Sequence, residues 1–351
     1  MMMKRASVVY VHLGQNPAPT LIPFSRLVNS QLSDVDLYLI TDFPTNWKEF
    51  PGTIIEYNKK LRTKEFDTYA KKFRVFEKIS GGYWIFTLER LFAIHILSQY
   101  TDGPIIHLES DVYPIFSSEL IDTLHRKVHR VAVPRYSESR GIASFLYAKS
   151  FKDYLEILEQ LLYILNTSTK SILGDMDLLG VALNKKILEE LPTYPSDSWE
   201  VNFNGEFRHI IFDAAALGQY LFGQDPFHTD GFRISGYKNP DFKIDLSNYT
   251  WNLAKDITRH TSLNFEASGK MFYPVNLHIH SKELLPPLDL NNARWVRAIE
   301  EGNEQIERLR SAKVLNTIHS KPIEFSTRLR LAKRTGMIKA FMRVFRRIKG
   351  V

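Results

Sequence analysis

The chain contains no cysteine. That excludes a disulfide framework, a thiolate zinc site and a cysteine nucleophile, and it suits a reducing compartment. Long apolar runs are missing too: no stretch approaches the roughly 20 residues needed to cross a bilayer. Residues 1–5 lead directly into a strand-like segment, so no signal peptide is expected. Internal repeats and low-complexity segments are also lacking. Excess basic charge is lacking outside one place. Between 328 and 351 there are nine Lys or Arg and no acid, and without them 37 basic residues face 39 acidic ones. The net charge of +7 therefore belongs to the tail. With no basic surface signal in the body and no nucleic-acid motif, a nucleic-acid partner is not expected.

What is present is an ordinary globular composition. At 351 residues and 44% hydrophobic, the chain is long enough for one large domain with appendages, or for two domains. Strand signals at 7–13, 36–42, 53–57 and 104–108 alternate with helical spacing at 21–32, 61–80 and 88–97. In the last of these, Thr87 is a candidate cap. This alternation predicts an α/β fold with a parallel sheet of nucleotide-binding type. Further strands are expected at 128–133, 142–147 and 274–280, and helices at 151–165, 175–188, 213–222 and 291–312. Pro- and aromatic-rich loops are expected at 191–210 and 223–250; long loops of that kind commonly build sites or lids.

The most informative stretch is HLESDVYP, residues 107–114. An apolar strand ends there, and two carboxylates, Glu109 and Asp111, follow at i and i+2. Extended residues two apart point the same way, and ligands in open α/β sheets collect outside the carboxyl ends of strands. The pair can therefore converge on one cation or one polyol. Late in the chain His278 and His280 share one face of a strand by the same periodicity. Asp111 with either histidine offers a hard carboxylate and an imidazole to a divalent cation, Mn2+ or Mg2+. Such a cation would neutralise charge on a diphosphate leaving group. Asp213, Asp175 and Asp177 stand at predicted helix starts, where Asp is an N-cap by default. Each could instead offer its carboxylate to a reacting group. The residues alone leave both open.

HLESDVYP, preceded by WIFTLERLFAI and followed late by HIHSK, is similar to nucleotide-sugar-dependent glycosyltransferases of the GT-A fold. GDMDLLG resembles the acidic helix start of family 8 members. The resemblance covers scattered motifs across residues 7–290. It implies a Rossmann-like GT-A mixed, mainly parallel sheet flanked by helices, with a C-terminal helical extension. On that basis residues 1–290 form the catalytic domain, with its nucleotide-binding half at about 1–125. Residues 291–326 are the extension and 327–351 the basic tail. The resemblance further implies that Asp111 ligates the metal, that His280 or His278 completes its shell, and that Glu109 contacts ribose or a metal-bound water. Lys282 would hold a diphosphate oxygen. Arg90 would reach the diphosphate or sugar, and His12, Gly14 and Asp42 would lie near base and ribose. Asp213 as a base for an acceptor hydroxyl would imply inversion of the sugar centre, and Asp175 or Asp177 beneath the sugar would imply retention.

The expected activity is transfer of a sugar from a nucleotide diphosphate donor, a UDP-sugar, to a glycan or glycolipid hydroxyl. A nucleotidyltransferase would place acids similarly but usually brings a basic Gly-rich loop after the first strand, and Gly14–Gln15–Asn16–Pro17 has no basic residue. A non-catalytic membrane adaptor is the other alternative. In the tail, Ile338, Phe341, Phe345 and Ile348 fall on one helical face and Lys339, Arg343, Arg346 and Arg347 on the other. That pattern suits an anionic membrane surface, so the expected location is cytoplasmic and peripheral at the inner face of a membrane.

Overall fold

The computed structural model describes residues 4–15, 18–32, 34–72, 83–116, 118–168, 174–203, 205–222, 249–255, 261–279 and 288–316. Strand β1 (Ala6–His12) is the spine of the larger sheet. Its alternate residues serve two different cores: Val9 and Val11 join one cluster, Val8 and Tyr10 the other. A strand apolar on both faces is the expected signature of a parallel sheet covered on both sides.

β1 pairs in parallel with β2 (Val35–Thr41) and with β4 (Ile105–Leu108), and β2 pairs in parallel with β3 (Thr53–Glu56). β8 (Phe145–Ala148) then runs antiparallel to β4, and β6 (Val131–Ser137) antiparallel to β8. The order is β3-β2-β1-β4-β8-β6-β7, with β7 at Arg140–Gly141 and β9 (Glu189–Leu191) parallel to β6. The fold is thus α/β with a mixed, mainly parallel central sheet flanked by helices, as the sequence predicts.

On one face of this sheet lie α2 (Lys64–Lys72), α3 (Tyr83–Ala93), α5 (Phe151–Thr167) and α6 (Asp175–Asn184), which bury Phe66, Leu88, Leu161 and Leu178. On the other lie α1 (Leu21–Gln31) and α4 (Ser118–Lys127) with Val28 and Leu124. Phe66 and Tyr69 are core residues, as their helical spacing suggests; Phe73 and Phe76 lie outside the described residues.

Three expectations are corrected. Thr87 does not cap a helix: α3 begins four residues earlier and Thr87 is buried within it. The 191–210 region is not mainly loop. It contributes β10 (Trp199–Phe203) and β11 (Glu206–Ile211), an antiparallel pair in a second sheet of order β10-β11-β14-β13-β12. Its other members are β12 (Thr250–Lys255), β13 (Thr261–Ala267) and β14 (Lys270–Pro274). Finally, 274–280 is not one strand: β14 ends at Pro274, and the following β15 (Asn276–His278) pairs antiparallel with β5 (Val112–Pro114). A third core joins the second sheet to α7 (Leu217–Phe222) and α8 (Ala293–Asn316) through Trp251, Phe265, Tyr220 and Trp295.

Candidate metal and donor site

β1, β2, β3 and β4 run in parallel, so their carboxyl ends share one edge of the sheet. His12, Asp42, Tyr57 and Glu109 stand at those ends. That edge is where ligands of open α/β sheets bind.

Glu109 and Asp111 occupy the short turn from β4 to β5, closed by the Val112 amide donating to the Glu109 carbonyl at 3.1 Å. Pairing of β5 with β15 sets His278 opposite Val112, one residue from Asp111. The Ile279 amide donates to the Asp111 carbonyl at 2.8 Å and extends that pairing. The outcome is a compact cluster. His278 Nε2 lies 3.2 Å from Glu109 Oε2 and 3.2 Å from Asp111 Oδ1. One ligand atom from each of the three residues lies within 4.8 Å of the others. Glu109 and His278 are buried, and Asp111 keeps 17% of its side chain open to solvent.

Arg90, on α3, reaches the same cluster. Its Nη2 donates to Glu109 Oε1 at 2.7 Å and to Asp175 Oδ2 at 3.1 Å. Asp175 is the first residue of α6 and is buried. Glu109 and Asp175 therefore share one guanidinium, and Glu109 and Asp111 share one imidazole. Burial pushes the Glu109 carboxyl above its usual range, while Arg90 and His278 act in the opposite direction. Burial also works against a charged His278, but the carboxylates of Asp111 and Glu109 outweigh it and hold its pKa above the ordinary value. An imidazole between two carboxylates binds either a proton or, once neutral, a cation. The donor set of two hard carboxylates and one imidazole fits Mn2+ or Mg2+.

The remaining predicted residues divide. His12 packs edge-on against Trp47, with ring centroids 4.9 Å apart. The Gly14 amide donates to Asp42 Oδ1 at 2.9 Å, so the loops after β1 and β2 are tied together. Gly14 has φ of +107°, a left-handed conformation that glycine adopts without a Cβ clash. Asp177 accepts from Arg140 Nε at 3.0 Å in a partly exposed pair. His280 and Lys282 lie outside the described residues.

Asp213 departs most from expectation. It is completely buried. Its Oδ1 accepts from the amides of Ala216 at 2.6 Å and Leu217 at 2.9 Å. Its Oδ2 accepts from those of Gly218 and His278, both at 2.8 Å. Burial raises its pKa and the four amide donors oppose that rise. A carboxylate with each oxygen shared by two amides and no solvent access is not placed to take a proton from an acceptor. Sequence could place an Asp at a helix start, but it could not reveal the 65-residue reach to the His278 amide.

Other contributors carried no sequence signal. Tyr57 Oη donates to Glu89 Oε1 at 3.0 Å, and the Arg62 guanidinium pairs with the same carboxylate. His107 is buried within β4, its Nδ1 donating to the Val9 carbonyl at 3.0 Å. Asn276 stands two residues before His278 on the same face and bonds Asp213 instead.

No protein-family model and no curated protein matches this sequence. Some solved structures are similar in part. The apo form of the glycosyltransferase GlyE from Streptococcus pneumoniae TIGR4 is 18% identical with a TM-score of 0.35, over 54% of this chain and 45% of that one. The match thus spans less than half of GlyE's length. The PaToxG glycosyltransferase is 12% identical with a TM-score of 0.36, over 52% of this chain and 69% of that one. Mouse xyloside xylosyltransferase 1, in its apo form, is 11% identical with a TM-score of 0.33, over 53% and 84% respectively.

Proposed function

We propose that this protein is a metal-dependent glycosyltransferase. It moves a sugar from a nucleotide diphosphate donor, a UDP-sugar, to a hydroxyl of a glycan or glycolipid made at a membrane surface. In that reaction the bond from the sugar's anomeric carbon to the diphosphate breaks, a bond to the acceptor oxygen forms, and the acceptor hydroxyl's proton passes to the departing nucleoside diphosphate. The observation that carries the reading is the convergence of Glu109, Asp111 and His278, with Arg90 bound to Glu109, at the carboxyl end of β4.

Asp111 and His278 would hold the cation, with Glu109 as a third ligand or as the acceptor of a ribose hydroxyl. When bound, the cation supplies positive charge against the diphosphate. Arg90 would add a second cationic group beside Glu109 and Asp175. Its guanidinium is suited to a phosphate oxygen or a sugar hydroxyl. Asp175, tied to Glu109 through Arg90, is the carboxylate we assign to the donor sugar. His12, Gly14 and Asp42 form the adjoining wall for base and ribose. Burial of Glu109 and His278 lowers the local dielectric, so charges in the cluster interact more strongly than they would in water. The basic tail, outside the described residues, would bring the enzyme to anionic lipids.

A thermal-shift screen of nucleotide sugars with Mn2+ tests the reading, because a ligand at 100 times its dissociation constant stabilises the native state by about 2.7 kcal/mol. A clear metal-dependent shift with one donor supports it. No shift with any donor favours a non-catalytic scaffold.

A further inference from the structure

We propose that Asp213 is a positioning residue for His278: its buried carboxylate clamps the histidine's backbone so that the imidazole meets Glu109 and Asp111. The proposal rests on the metal reading above. Three sets of contacts support it.

The carboxylate itself joins two elements. Three of its hydrogen bonds come from the start of α7, from the amides of Ala216, just before the helix, and of Leu217 and Gly218 within it, and the fourth comes from the His278 amide in β15. All four partners are donors, so the ionised carboxylate alone satisfies them, and no neutral side chain of similar size offers four acceptor sites. The second set surrounds the Asp213 backbone. Its amide donates to Asn276 Oδ1 at 3.1 Å, and its carbonyl accepts from Ser144 Oγ at 3.2 Å. The Ser144 carbonyl in turn accepts the Glu109 amide at 3.4 Å. One residue therefore connects the strand carrying His278 with the turn carrying Glu109. The third contact is steric. A Cβ on Gly218 would lie 2.2 Å from the His278 carbonyl oxygen and 2.8 Å from its nitrogen. The start of α7 is thus pressed onto the His278 peptide while Asp213 holds its amide, and the Cα of His278 has little room to move.

β15 has only three residues and pairs with one other three-residue strand. A ladder that short does not fix a side chain to the fraction of an ångström that ligation requires. Asp213 supplies what the ladder lacks. Partners one step removed from a metal commonly contribute 10- to 100-fold in affinity.

The test is Mn2+ binding by the full chain, measured as loss of the free-ion electron paramagnetic resonance signal, with no turnover required. Asp213→Asn turns one carboxylate oxygen into an amide that faces donors. It is expected to weaken binding about tenfold or more. Gly218→Ala, which leaves the carboxylate intact but displaces the His278 peptide, should weaken binding as well and serves if Asp213→Asn does not fold. The deciding readout is a double-mutant cycle. In a His278→Ala background, Asp213→Asn should cause no further loss, because the ligand it positions is gone. Undiminished affinity in folded Asp213→Asn or Gly218→Ala would overturn the proposal while leaving the metal reading intact, as would losses that simply add to that of His278→Ala. A wild type that binds no Mn2+ would overturn the metal reading and this proposal with it.

Discussion

Glu89 and Arg90 are neighbours on one helix and serve different parts of the site, because each helical step turns the side chain by about 100°. Arg90 faces Glu109 and Asp175. Glu89 faces away and takes both Tyr57 and Arg62, whose side chain is only 7% exposed. Glu89→Gln would leave that buried guanidinium with only Asp67, 3.9 Å away, as a counter-charge, at a cost of about 3 kcal/mol in urea unfolding; a loss under 1 kcal/mol would contradict the pairing. His107 gives a pH signature. Burial, aided by the Arg90 charge, pushes its pKa from 6.5 down to about 3. The unfolded chain therefore takes up a proton below pH 6.5 that the native state refuses. As pH falls through that window, stability should drop by about 1.4 kcal/mol per pH unit from this group. His107→Gln should flatten the slope between pH 6 and 4, read by urea midpoints; an unchanged slope would contradict the assignment. Asp111 and His278 were legible in the sequence because strand periodicity and ligand chemistry act locally. Asp213 was not: cap, base and clamp look identical until the residues around them are known.

At the scale of elements, local patterning found every strand of the parallel block, since each is a continuous apolar run between turn signals. The second sheet escaped because Pro192, Pro195 and Gly205 punctuate its first strands, and because antiparallel pairing of β12 with β13 depends on partners that propensity does not name. The seat of α6 is a contact of the same kind. Gly180 packs so closely on the turn before β7 that an added Cβ would lie 1.9 Å from the Ser139 carbonyl oxygen. Gly180→Ala must push α6, and with it Asp175, off that turn. The expected cost is about 1–3 kcal/mol in denaturant unfolding, with weaker donor binding; full stability would show that the turn yields instead.

For the whole molecule, three cores pack around two large sheets and the two-stranded β5–β15 pair, and the candidate site draws on separate elements: the turn after β4 contributes Glu109, β15 contributes His278, and α3 and α6 contribute Arg90 and Asp175. No helix among the described residues is long and apolar enough to cross a membrane. We propose that membrane contact is made by the basic tail, each of whose cations near an anionic surface adds about 1 kcal/mol. Deleting 328–351 should abolish sedimentation with phosphatidylserine vesicles at low salt and leave it unchanged with neutral ones. Retained binding would refute the anchor. The central claim is that Glu109, Asp111 and His278 form a metal site for a nucleotide diphosphate. Isothermal titration of UDP with and without Mn2+, into wild type and Asp111→Asn, tests it directly. The account predicts binding only by wild type and only with the metal; equal binding by Asp111→Asn, or equal binding without Mn2+, would contradict it.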